Sequence, residues 1–445
     1  MERLTLLNFL CVMTDNPQFI QFFRQAAPYI HQHRGKTFVF CIQDDEKTQQ
    51  VLKSLLHDIA VLHSLQVKVV IIFGARYCLN QRLSKQQFHD NRRITDIETI
   101  REIEEIVGAL GIRASSILSM GLANSPMQGA SISTCMGNYI TAKPVGVRDG
   151  VDFGLTGEIR KVRAKAINKR LQDGDIVVIL PLGYSSTGEI FNLTSEEVAS
   201  SVATAVKADK LLFFGREVNA VIDSANEGKA ITPEEAMILS QQSRPVGLIT
   251  MLKEAAFACQ HGVSRVHLIP NDSDGAVFAE LFTRDGFGVM ITNDAYDRIE
   301  QATVDDIPGL LQLIRPLEKQ GILVRRSREL LEMEINYFSL LKRDNSVIGC
   351  AALYPYPDDG MAELGCLAVD PDYRKNGLAD SLLEHVEQSA RQQGIHQLFC
   401  LTTQTSHWFM ERGFTLAELS NLPQKKQAFY NYARNSKVYI KAIAY

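Results

Sequence analysis

Two stretches constrain the fold before anything else: Val67 to Phe73, VKVVIIF, and Asp175 to Leu182, DIVVILPL. Each is apolar at consecutive rather than alternate positions, the mark of a strand covered on both faces. Such a strand needs helices above and below it. The intervening sequence supplies them. Thr37 to Ile42 reads as a further strand, Glu46 to Ser64 and Asp96 to Leu110 as helices, and Thr194-Ser195-Glu196-Glu197 as a capping box before the helical run VASSVATAVKA. Leu211 to Phe214 and Val266 to Ile269 add strands, and Ala276 to Phe282 a short helix. Ahead of them, residues 17 to 33 set Phe19, Phe22, Phe23 and Ile30 at helical spacing, a stripe that serves either internal packing or contact between subunits. The order predicts an α/β domain with a largely parallel sheet.

At 445 residues the chain exceeds one ordinary core, so two or three domains are expected. A net charge of -4 provides no basic field, which argues against a nucleic-acid partner. The eight cysteines have no paired spacing for zinc or disulfides, which points to a reducing, cytoplasmic setting and to no metal. Leu4 to Met13 is interrupted by Asn8 and lacks a small-residue cleavage site, so no signal peptide is expected, and no apolar run reaches membrane-spanning length.

Past residue 292 the pattern changes. The polar stretch 293–299 reads as a linker, and Thr303 to Asp306 caps a helix, GLLQLIRPLEKQ. A helix from Arg328 to Phe338 follows, then two antiparallel strands, Ser346 to Leu353 and Met361 to Val369, joined by Pro355 to Gly360. Asp370-Pro371-Asp372 breaks the second strand, and Arg374-Lys375-Asn376-Gly377-Leu378-Ala379 opens a helix with Leu378, Leu382, Leu383 and Val386 on one face. The first turn of a helix has amides without partners and a partial positive charge, and a glycine there lets an anion come close. Strand, basic turn and helix together make a phosphate site. A strand at Gln397 to Leu401, a short helix across His407-Trp408-Phe409-Met410 and a last strand from Lys437 to Ile443 complete the order.

The motif Arg374-x-x-Gly377-x-Ala379 after a strand resembles the acetyl-CoA loop of the GCN5-related N-acetyltransferases (GNAT). The first domain resembles the amino-acid kinase fold through Lys36 to Phe40, Phe73-Gly74-Ala75-Arg76, Gly188 to Leu193, and Asp274 to Gly288. Its kinase chemistry is missing. Where such kinases carry a Gly-Gly pair to cradle phosphates, this chain has Gln43-Asp44-Asp45, whose carboxylates repel a nucleotide tail. The pairing, with IRPLEKQGILVRRSRE, VDPDYR, HWFMERGF and FYNYARNSKV, resembles the bacterial N-acetylglutamate synthase family over nearly the whole chain. The expected architecture is a three-layer α/β/α domain at 1–292, a linker at 293–299, and a GNAT domain at 300–445 with a mixed, mostly antiparallel sheet.

The resemblance implies acetyl transfer from acetyl-CoA to the α-amine of L-glutamate, the entry step of arginine synthesis. It also implies L-arginine as effector through Glu280 and Gly286, and a hexamer. Acetyl-CoA is expected along Cys366, Leu367, Ala368, Val369, Arg374, Lys375, Asn376, Gly377, Leu378 and Ala379. Attack needs a neutral amine, so a carboxylate near the cofactor strand is wanted, and Glu363 is the candidate base. The oxyanion would meet a strand amide near Cys366 or Leu367. Tyr430 and Tyr432 are candidates for protonating the leaving thiolate. Carboxylates are best held by forked guanidinium groups, which points to Arg326 and Arg434 with Val324 and Cys366 beside them, and Arg325 and Lys437 in reserve. Cys366 is expected to supply backbone, since direct transfer needs no acyl-enzyme. Rival readings are a kinase acting on N-acetylglutamate and a non-catalytic arginine sensor.

Overall fold

The computed structural model describes residues 17–83, 86–120, 131–224, 230–242, 246–271, 273–283, 286–293, 298–343, 346–373 and 377–443. The apolar stretch Leu4 to Met13 and the basic turn Arg374-Lys375-Asn376 lie outside them. The chain divides into two compact units, Met1–Asp294 and Ala295–Tyr445.

In the first unit the strands are β1 (Thr37–Ile42), β2 (Lys68–Phe73), β3 (Thr134–Met136), β4 (Ile140–Pro144), β5 (Gly157–Val162), β6 (Ile176–Ile179), β7 (Leu182–Tyr184), β8 (Ile190–Asn192), β9 (Lys210–Phe214), β10 (Ala230–Ile231), β11 (Arg265–Ile269) and β12 (Val289–Ile291). Eight of them form one sheet in the order β10-β12-β11-β9-β1-β2-β6-β3, with parallel pairs except β11 against β12. The helices used below are α1 (Pro17–His33), α2 (Glu46–Ser64), α3 (Ile97–Ser119), α4 (Ser195–Val206), α5 (Val246–Gln260) and α6 (Ala276–Phe282). Alternate residues of the central strands face opposite layers: Val39 and Cys41 pack toward α4 and α5, while Phe38, Phe40 and Ile42 pack toward α2 and α6. Both faces are covered, as the unbroken apolar runs require. Exposed Phe22 and Phe23 lie on α1, and Ile30 packs inward.

Three local expectations change. The run Asp175 to Leu182 is two strands, because Pro181 cannot donate to a ladder, and Leu182 starts β7 in a second sheet ordered β8-β7-β4-β5. The helix expected to stop at Leu110 runs on to Ser119. Gly111 is a packing position inside it, where a Cβ would come within 2.8 Å of the Met136 sulfur. The capping box at Thr194 does not form: the Thr194 side chain makes no cap bond, Glu196 turns into the interior, and Glu197 faces Arg92.

The second unit is one seven-stranded sheet, made of β13 (Arg298–Gln301), β14 (Phe338–Arg343), β15 (Ser346–Tyr356), β16 (Met361–Val369), β17 (Gln397–Thr402), β18 (Thr415–Ala417) and β19 (Lys437–Ala442). Its order is β13-β14-β15-β16-β17-β19-β18, antiparallel except for the parallel pair β16/β17. Helices α7 (Ile307–Lys319), α8 (Arg328–Glu334), α9 (Leu378–Gln392), α10 (Ser406–Glu411) and α11 (Gln424–Ala428) flank it. The apolar face of α9, with Leu382, Leu383 and Val386, covers one side of the sheet, and α7, through Leu310 and Ile314, covers the other. Thr303 and Asp306 form the reciprocal cap read from sequence. Arg298 and Ile299, read as linker, instead pair with Lys342 and Leu341. The helix expected to reach Phe338 ends at Glu334, because Phe338 opens the buried strand β14.

Candidate active site

The second unit holds a cleft of about 520 Å³ where two neighbouring strands separate. β16 pairs with β17 at Met361, Ala362 and Glu363, and among the described residues the ladder ends there. Just beyond, Cys366 adopts φ 49° and the register with β15 slips between Cys350 and Ala352. A residue with a side chain seldom takes that conformation, and the bulge re-aims the strand at the point where it leaves its neighbour. Cys366 and Leu367 line the opening, so the expected amide position is where β16 stands without β17 beside it.

The basic side chains arrive from two distant segments. After α7, the loop 322–327 brings Val324, Arg325 and Arg326 to the cleft, and the tail beyond α11 brings Tyr430, Asn431 and Arg434. The tail is tied across: an Arg434 Nη2 donates to the Ile322 carbonyl. Arg326 is half-buried. Its Nη1 donates to Val324 O at 3.2 Å, and its Nε lies 4.0 Å from a Glu334 oxygen. Burial works against its charge, yet Cys366, Tyr354 and Glu334 together hold its ionisation above the ordinary range. Glu334 also accepts from the Tyr354 hydroxyl at 2.8 Å. Lys437 begins β19 and does not line the cleft. Tyr432 is exposed and stands outside the cleft lining, its ring against that of Tyr430.

Glu363 sits at the last paired position of β16, and its Oε2 takes a contact from Lys426 Nζ at 2.5 Å. The candidate base is therefore engaged. The Tyr430 hydroxyl donates to Ser436 O at 2.7 Å, so its proton is committed to the backbone in this state. Sequence reasoning missed Lys426, Glu334, Tyr354 and Cys350. The Cys350 thiol donates to the Cys366 carbonyl at 3.1 Å, and a hydrogen bond from Cys350, opposed by burial and aided by Arg326, pulls the Cys366 thiol below its usual range. Ala368 and Val369, expected along the cofactor, turn their side chains into the two cores on either side of the sheet.

The end that would take a diphosphate is α9. Gly377 is its N-cap at φ 69°, without a side-chain cap bond, and Leu378 and Ala379 start the helix. An uncapped first turn behind a left-handed glycine suits an anion. The cleft and this helix start both adjoin the free end of β16, which fits a long thioester cosubstrate. No group of three or more metal-binding side chains occurs among the described residues.

The first unit lacks a nucleotide cradle. Asp45 caps α2 by accepting from Thr48 N at 2.8 Å and is further held by Asn271. Asp44 accepts from Cys78 N at 2.6 Å and from Gln49. The helix start that would receive a phosphate is filled by the chain's own carboxylate. Glu280 and Gly286 do meet: a Cβ on Gly286 would lie 2.8 Å from Glu280 Oε2, and its φ is 62°. Yet Glu280 is buried and turned inward, accepting from Phe287 N and Gly288 N and contacting His267 Nδ1 at 2.5 Å. Burial opposes its charge, but those bonds prevail and hold the carboxyl at about 2.

The amino acid kinase family matches residues 41–270, and the acetyltransferase (GNAT) family matches residues 309–414. An amino-acid acetyltransferase of Azotobacter vinelandii is 44% identical over 96% of this chain and 99% of its own. One of Escherichia fergusonii is 43% identical over 96% of this chain and 98% of its own. The crystal structure of N-acetylglutamate synthase from Neisseria gonorrhoeae with coenzyme A and L-arginine superposes with a TM-score of 0.85 at 34% identity, covering 96% of this chain and all of that one. The structure titled with coenzyme A and N-acetyl-glutamate gives 0.59 at 35% identity.

Proposed function

The chain belongs to the amino-acid acetyltransferase family, and on that premise we propose how its residues carry out acetyl transfer from acetyl-CoA to the α-amine of L-glutamate. The observation that carries the reading is the separation of β16 and β17 directly after Glu363, with two guanidinium groups from distant segments entering the gap.

In this reading Arg326 and Arg434 hold the two carboxylates of glutamate, with Val324 and Cys366 supplying backbone and wall. A positioned substrate needs only proton removal and charge stabilisation for the acetyl group to move. Glu363 takes the amine proton, directly or through a water, once Lys426 has turned aside or with its second oxygen. The carbonyl oxygen that gains charge is met by the β16 amide at Cys366 or Leu367, where no β17 ladder competes. Tyr430 returns a proton to the sulfur after leaving Ser436 O. Cosubstrate binding falls to the start of α9 and the basic turn before it: Arg374, Lys375, Asn376, Gly377, Leu378 and Ala379. The residues present fit such a ligand, which supplies the activated acetyl group.

Arginine acts through the first unit, at Glu280 and Gly286. The inward pairing of Glu280 means that a guanidinium would have to displace His267 or approach the same carboxylate over Gly286. An effector shifts activity only if it prefers one arrangement over another, so arginine must bind the less competent form more tightly. Exposed Phe22 and Phe23 on α1 support assembly through the first unit, in which we include the ring of six, and the composition supports a cytoplasmic setting. Light scattering of the purified protein decides the assembly.

The direct test is release of coenzyme A thiol with acetyl-CoA and L-glutamate, repeated with L-arginine and, separately, with ATP and N-acetylglutamate. Thiol release that depends on glutamate and falls with arginine is expected, together with no ATP turnover. Release that ignores glutamate would sink the assignment.

A further inference from the structure

The cleft in the second unit leaves two sequence motifs of the first unit without a task. Phe73-Gly74-Ala75-Arg76 and the end of Gly188 to Leu193 meet around an enclosed cavity of about 70 Å³. Three arginines line it, Arg76, Arg92 and Arg93, against a single carboxylate among the lining residues, Glu196. Arg76 lies 3.5 Å from Glu196, and Arg92 is shared between Glu197 at 3.4 Å and Glu158 at 3.8 Å.

Arg93 has no such partner. It is only 8% exposed, its Nη2 donates to Asn80 at 2.5 Å, and its guanidinium lies 4.6 Å over the Phe88 ring. Its Nη1, closed off from solvent, has no hydrogen-bond partner, and no carboxylate pairs with it among the described residues. Burial first, and the nearby Arg76 charge second, work against its ionisation. A buried guanidinium with an orphaned nitrogen is costly unless something else satisfies it. A second feature converges on the same space. α4 runs for 12 residues and starts at the cavity with Thr194 and Ser195, and its N-cap provides no side-chain bond. The wall opposite is apolar, built from Leu79, Val107 and the Phe88 ring.

We propose that this cavity is a second ligand site, in the unit that has lost its nucleotide cradle, for a small carboxylate with a short apolar body. The charged end pairs with Arg93 Nη1 and Arg76 at the uncapped start of α4, and the carbon chain lies along Leu79 and Val107. A carboxylate suits the forked guanidinium, and the apolar wall favours it over inorganic phosphate. The volume limits the ligand to a few heavy atoms inside the cavity. The site is independent of the acetyl-transfer reading, which concerns the other unit.

The test uses the full chain carrying Arg326→Ala, so that the second-unit cleft does not compete, with glutarate and phosphate as probes in calorimetric titration. Glutarate is expected to bind more tightly than phosphate and to raise the melting temperature. Arg93→Gln should weaken glutarate by about tenfold or more, the loss expected for one charge-assisted bond, with Arg93→Lys recovering part of it. Should Arg93→Gln fail to fold, Leu79→Phe fills the cavity and keeps every charge, and it should abolish the same binding. Equal affinity for phosphate, or glutarate binding unchanged in both Arg93→Gln and Leu79→Phe, would overturn the proposal.

Discussion

The contact between Glu363 and Lys426 joins residues 63 apart in sequence at the mouth of the cleft. It fixes the carboxylate where β16 leaves β17, and it also means that proton transfer competes with an ion pair. Removing the carboxylate while keeping its shape separates the two roles. Glu363→Gln is expected to lower kcat by about 100-fold, the usual loss of a general base, while KM for acetyl-CoA stays within about twofold. Steady-state kinetics with each substrate varied decides it, and unchanged kcat would remove Glu363 from the mechanism. Glu363 was legible in sequence because it stands on a strand that the acetyl-CoA motif follows. Lys426 was not. Lysines in a polar tail have no periodic signal, and only the folded tail reveals which one meets the carboxylate. Glu334 escaped for a related reason: the helical pattern around it ran into Phe338 and hid where α8 stops.

Strands and helices were read best where one face or both faces are apolar. Val67 to Phe73 and Glu46 to Ser64 appear nearly as expected, since burial alone dictates their pattern. The bulge at Cys366 was invisible, because a positive φ at a cysteine leaves no trace in composition; only an expectation that strand amides near Cys366 serve the reaction pointed there. Element geometry also makes the cosubstrate end testable. Gly377 has open space around its Cα, so a larger residue meets no clash, and what it meets is backbone strain at φ 69°. Gly377→Val should raise KM for acetyl-CoA by about tenfold and cost roughly 1–2 kcal/mol of stability, with KM for glutamate little changed. Titration with coenzyme A and a thermal melt measure both. An unaltered acetyl-CoA KM would place the diphosphate elsewhere than the start of α9.

At the scale of the molecule, the two units have separate cores, and the buried ionisable groups with the largest histidine shifts lie in the first. Burial, reinforced by Lys210, pulls His33 down to about 4, and the same causes bring His267 to about 4. A histidine whose folded pKa is depressed contributes stability that is complete above about 6.5 and is lost as pH falls toward 4. For His33 alone the loss between pH 7 and pH 5 is on the order of 2 kcal/mol. Two carboxyls act with the opposite sign. Burial and then Asp274 push Asp58 up to about 7, and burial lifts Glu254 to about 6. Their native forms take up protons sooner than the unfolded chain, so acidification from pH 7 stabilises them. Opposed slopes leave the first unit of the wild-type protein nearly indifferent to mild acid. Removing one member exposes the other: His33→Gln, which can still donate to Leu281 O, should become more stable from pH 7 to pH 5, and Asp58→Asn should become less stable. Calorimetric melts of the first-unit transition at the two pH values give the difference of slopes, and parallel slopes in the two variants would show that neither group titrates across folding.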